Sequence, residues 1–99
     1  MGIIAGSRLR VERVNLIGQD LGSLSNKYYD LELANNSKLY AVPRDASQVL
    51  EIDPVNQTTT LIGQDLGSGF NKYISLALAN NGKLYAPPFN ASQVLEIDP

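Results

Sequence analysis

The sequence predicts an all-β fold made of two consecutive, near-identical four-stranded antiparallel units, and three observations carry that expectation. Residues 16–54 align with residues 61–99 at a constant shift of 45 positions without a gap, thirty of the 39 paired residues being identical. Several short segments alternate apolar and polar residues with the two-residue period of a half-buried strand. Asn-Gly, Pro and Asp-Pro punctuation separates those segments, and none carries the three-and-four apolar spacing that a helix requires.

Within one unit four strands follow in order. YISLALA (73–79) places Ile74, Leu76 and Leu78 on one face and small or polar residues on the other. Asn81-Gly82 supplies the positive φ angles of a tight hairpin. KLYA (83–86) is the second strand, ended by Pro87 and Pro88, which have no N–H to give a ladder. QVLEI (93–97) is the third. The fourth is seen midway along the sequence, where DPVNQ forms a Pro-led turn and TTTLI (58–62) is rich in β-branched residues. GQDLGSGFNKY then makes a polar crossover longer than an ordinary hairpin loop. Two hairpin pairs of a β-sandwich satisfy the same alternation, but gap-free near identity favours radial repetition.

The run NNGKLYAPP…SQVLEIDPVNQTTTLIG resembles the blade of β-propellers of the NHL and quinoprotein-like kind, in which an NGKLY hairpin leads to a VLEIDP strand and a Thr-rich outer strand. The resemblance extends over nearly everything after Leu16. It implies propeller blades and leaves function open, because that fold hosts enzymes, lectins and scaffolds alike. Small lectins with two blades per chain that trimerise into six-bladed rings offer an architectural parallel, but this chain has no Trp with which to stack on sugars.

With strands A to D counted outward, the expected order is D-ABCD-ABC. RLRVERVNLIG (8–18) enters the same LIGQDLG that TTTLI enters at 61–67, so it takes the D position. Residues 1–17 then form a segment and outer strand completing a blade in a neighbouring chain, 18–62 blade 1, and 63–99 blade 2 without its own outer strand. Unpaired strand edges are covered or paired in natural proteins. The expectation is therefore a closed β-propeller reached by homo-oligomerisation with strand exchange, as a cyclic homotrimer of six blades or a homotetramer of eight. Arg8, Arg10, Arg13, Asp30 and Glu32 are candidate interface charges, pairing between units or chains or else facing a solvated channel. Copies this close are what recent duplication or deliberate construction leaves.

The 99 residues carry a formal net charge of −2, which gives no basic footprint for nucleic acid or an anionic membrane. Absence of Cys and His removes disulfides, thiolate nucleophiles, the usual zinc ligands and the usual general base. No catalytic residue, cofactor or metal site is expected, nor a membrane span, and MGIIAGS is too short for a signal peptide. DLGSG (65–69) lacks the Gly-Lys-Ser/Thr ending of a phosphate loop. Asn35, Asn56 and Asn90 each open an Asn-x-Ser/Thr glycosylation triplet of the kind common in Asn-rich turns.

In a four-stranded unit the D-to-A and B-to-C connections emerge on one face. That gathers Asp20, Asn26, Lys27, Tyr28, Arg44 and Asp45 with Asp65, Phe70, Asn71, Lys72, Tyr73, Phe89 and Asn90. Carboxylate, amide, cation and ring together suit a glycan or small polar ligand. The same groups serve equally to tie loops to nearby backbone and to fill gaps between units.

Overall fold

The computed structural model describes residues 12–99, and the fold is all-β, with no helix among the described residues. Seven strands form: β1 (Tyr28–Leu33), β2 (Leu39–Pro43), β3 (Val49–Asp53), β4 (Thr58–Ile62), β5 (Ala77–Leu78), β6 (Leu84–Ala86) and β7 (Leu95–Ile97). They make a four-stranded antiparallel sheet in the order β1-β2-β3-β4 and a three-stranded antiparallel sheet in the order β5-β6-β7.

Register recurs between the sheets. Tyr40 faces Glu51 across β2 and β3, and Tyr85 faces Glu96 across β6 and β7. Each tyrosine donates its hydroxyl to that glutamate at 2.8 Å and accepts an amide N–H from Asn36 or Asn81. The hairpin turns repeat as well: the Ala34 N–H donates to the Lys38 carbonyl, and the Ala79 N–H to that of Lys83, both at 2.9 Å.

The inner strands differ. β1 runs six residues with a register shift between Tyr28 and Leu31, whereas the second copy, expected over 73–79, keeps only Ala77–Leu78 and an isolated bridge between Tyr73 and Pro88. Here the Leu76 N–H donates to the Asp30 carboxylate of the first repeat at 2.9 Å, and β6 stops at Ala86, before Pro87, which stands where β2 has Val42 and has no N–H to give a ladder. Of the expected N-terminal outer strand, residues 8–11 lie outside the described residues, and residues 12–17 form no strand in the single chain. There Val14 and Leu16 are almost fully exposed.

One core joins the two sheets. Tyr40, Val42 and Val49 of the first pack with Leu84, Ala86 and Ile97 of the second, and with Tyr73 and Leu76 of the crossover leading into it. Alternation explains the sides taken: positions 40 and 42 point one way from the first sheet, while positions 84 and 86, one period apart on β6, point back from the second.

The hairpin turns expose one local conflict. Ser37 adopts φ +67° where Gly82 adopts φ +84° in the second copy, a left-handed conformation that favours glycine. Ser37→Gly is expected to stabilise the protein by about 0.5–1 kcal/mol, the relief of side-chain strain exceeding the added freedom of the unfolded state. A urea midpoint that stays put or falls would contradict this.

Candidate functional site

The crossover into each sheet and the loop between its second and third strands lie side by side, tied by backbone bonds. N–H groups of Arg44 and Ala46 donate to the Lys27 carbonyl and that of Asp45 to Asn26; Phe89, Ala91 and Asn90 repeat the pattern on Lys72 and Asn71. Asn26 and Asn71 both take φ 54°, a left-handed conformation that Asn tolerates better than most residues.

At the boundary between the repeats these loops interlock. Asn71 donates its N–H to Asp45 Oδ1 at 2.7 Å, Lys72 its N–H to the Arg44 carbonyl at 2.8 Å, and Leu66 its N–H to the Ser47 carbonyl at 2.7 Å. Arg44 donates Nε–H to Asn71 Oδ1, and its guanidinium carbon stands 5.4 Å from the Tyr29 ring centroid. Lys72 is buried and Asp45 nearly so. The Lys72 ammonium donates to the carbonyls of Gly69 at 2.6 Å and Asp45 at 3.3 Å. Burial pushes the Lys72 pKa below its ordinary 10.5, while the charges of Asp45 and Asp65 act to hold the proton on.

Beneath the polar loops the contact is apolar, and each contributor has a counterpart 45 positions away. Val49 is 5% exposed inside the contact, whereas Val94 is 63% exposed on the far face of the second repeat. Leu76 is 6% exposed, whereas Leu31 is 47% exposed on the near face of the first. Identical residues thus differ in burial according to whether a neighbouring repeat lies against them.

Of the sequence-predicted residues, Arg44, Asp45, Asn71, Lys72 and Tyr73 belong to this joint. Asp20 and Asp65 accept the N–H groups of Gly22 and Gly67 and close their own loops. Tyr28 and Tyr73 donate their hydroxyls to the Gln48 and Gln93 carbonyls, and burial raises both phenols above the ordinary 10.0. Asn26 and Lys27 lie at the open near face, Phe89 and Asn90 at the open far face, and Phe70 is exposed beside Asn90, whose amide donates to its carbonyl at 3.2 Å. Among the interface candidates, Asp30 does reach the other repeat, but its partner is a backbone N–H, not a cation. Glu32 is half-buried without an ion pair among the described residues, Arg13 is exposed, and Arg8 and Arg10 lie outside those residues.

Val49, Leu76, Ser47 and Leu66 escape a search for chemically active side chains, because two contribute only apolar packing and two chiefly backbone. The adjacent pair Val49-Leu50 does carry a signal, since two apolar neighbours in a strand indicate burial on both faces. Comparison with protein-family models, curated proteins and solved structures finds no match.

Asp45 contributes both an acceptor and a countercharge, and two variants separate them. Asp45→Ala is expected to cost about 1–3 kcal/mol through the unpaired Asn71 N–H, while Asp45→Asn keeps an acceptor and costs less. In the window between its lowered folded pKa and 10.5, Lys72 is neutral in the folded state and protonated in the unfolded one. Stability from this site therefore rises with pH there, and Asp45→Asn starts the rise at lower pH. Denaturation followed upward from about pH 8 reads the effect as the difference between the two proteins, because the tyrosines, half ionised in the unfolded state at about pH 10, contribute equally to both; identical slopes in the two proteins would refute it.

Proposed function

We propose that the protein is a non-catalytic structural module whose activity is association with copies of itself, two blades per chain closing into a propeller ring of three or four chains. The observation that carries this reading is the pair of open faces: Leu31 with Leu33 on one, Val94 with Phe89 on the other, all large apolar groups left exposed. The joint between the two repeats is a template for bringing these two faces together. Such contact is heterologous, and heterologous contacts close into rings when the rotation allows.

Strand exchange fits the same scheme. β4 lies on β3 with Val49 opposite Ile62 and Asp53 opposite Thr58, while the outer edge of β7 is unpaired among the described residues. An open groove of about 590 Å³ runs between the end of β4 and β7, lined along the whole stretch from Gln93 to Pro99. Residues 13–17 occupy the sequence positions equivalent to β4 and have apolar groups free to pack. Just beyond them the Thr59 hydroxyl donates to Gln19 at 2.7 Å, a bond worth about 0.5–1.5 kcal/mol.

A second reading, a glycan or small-molecule binding propeller, is favoured by one feature of the loop face. A shallow cavity of about 240 Å³ is lined by Asp20, Lys27 and Tyr28, three of the predicted ligand residues.

Sedimentation of the 99-residue protein should give a mass of three or four chains, and Val94→Asp, which charges an open face, should reduce it to one. A folded wild-type monomer at every concentration would sink the ring. A glycan array showing saturable binding that Lys27→Ala abolishes, with mass unchanged, would favour the second reading.

A further inference from the structure

Resting on the self-association reading, we infer that chains meet through a joint chemically unlike the one between the two repeats, with Phe89 and Asn90 of one copy set against Lys27 and Asn26 of the next. The nine positions that differ between the repeats point there. Four of the pairs, Tyr29/Ile74, Asp30/Ser75, Arg44/Phe89 and Asp45/Asn90, put on the first repeat the groups that hold the internal joint and remove them from the second.

The backbone half of the joint transfers unchanged. Phe89 and Ser92 offer the carbonyls that Arg44 and Ser47 use, and Lys27 and Leu21 offer the N–H groups of Lys72 and Leu66. The side-chain half does not. Arg44 stacks on Tyr29 and donates to Asn71; Phe89 in its place has no donor and meets a partner repeat bearing Leu24 where the internal joint has Gly69. This exchanges a cation for an apolar contact.

The lysine changes most. Lys72 is buried with two carboxylates near it, Asp45 and Asp65. Lys27, buried by the same contact, keeps Asp20 as the equivalent of Asp65 and finds the neutral Asn90 where Asp45 stood. A buried cation short of one countercharge weakens the contact. The internal joint is then the permanent one, and the joint between chains the reversible one.

Asn90 is exposed in the single chain, so Asn90→Asp supplies the countercharge at the loss of one exposed hydrogen bond, from the Asn90 amide to the Phe70 carbonyl. Dissociation constants of the full-length protein are to be measured by sedimentation for the wild type, Asn90→Asp, Lys27→Met and the double variant, with the thermal midpoint of dilute protein as control. The expected result is association about tenfold tighter in Asn90→Asp, the gain disappearing in the Lys27→Met background. A wild type that associates while Asn90→Asp binds equally or more weakly overturns this inference alone, as does a gain that persists without Lys27. A wild type that never associates overturns the self-association reading and this inference with it.

Discussion

Contact between the two repeats governs how everything else in the molecule is arranged. A four-stranded antiparallel sheet of this sequence is apolar on both faces at its centre, and covering a face with a neighbouring sheet removes that apolar surface from water. Burial of Val49, Tyr73 and Leu76 supplies the drive, at about 1.5–3 kcal/mol for a fully buried large apolar side chain. The hydrogen bonds above them contribute about 0.5–1.5 kcal/mol each and are not what brings the sheets together. Their part is direction. The bonds from the amides of Asn71, Lys72 and Leu66 to Asp45, Arg44 and Ser47 admit one alignment of the loops, and the alignment fixes which apolar groups meet.

Lys72 shows how the two contributions depend on one another. Its ammonium is kept from water by the packing around it and donates to the Asp45 and Gly69 carbonyls, so the buried cation has polar partners. Among the described residues no buried side-chain polar atom is left unpartnered, so the joint gains its specificity without an orphaned group. Asp30 extends the same logic: by taking the Leu76 N–H it fastens the segment leading into β5 to the first repeat.

Much of the architecture is legible in the residues. Alternation locates the strands, Asn81-Gly82 locates a hairpin, and the shift of 45 carries each feature from one copy to the other. Adjacent loops of one face come together as the strand order requires. Burial is harder to read, because it is set by a contact between segments 26 or 27 positions apart, as with Asp45 and its partners Asn71 and Lys72, and no local pattern marks it. A lysine between an asparagine and a tyrosine in a polar loop has the composition of a ligand site, and only packing of the neighbouring repeat turns it inward. The partner of the Leu76 N–H is hidden from local pattern for the same reason, since its acceptor Asp30 lies in the other repeat.

Residue identity therefore does not determine environment in this protein. Tyr40 and Tyr85 have the same partners, Asn36 with Glu51 and Asn81 with Glu96, yet the first is fully buried and the second partly open. The strands that form each sheet are almost the same in both copies, because each must fold the same hairpins. Differences gather where a repeat meets its neighbour, at positions 29, 30, 44 and 45 and their counterparts 74, 75, 89 and 90. That distribution is expected if sheet formation and contact between sheets are separate demands on the sequence. The first demand acts within one repeat and is met twice in the same way. The second acts between repeats, and the two copies differ where it acts: Asp30, Arg44 and Asp45 of the first hold the second repeat, while Ser75, Phe89 and Asn90 at the equivalent positions are exposed.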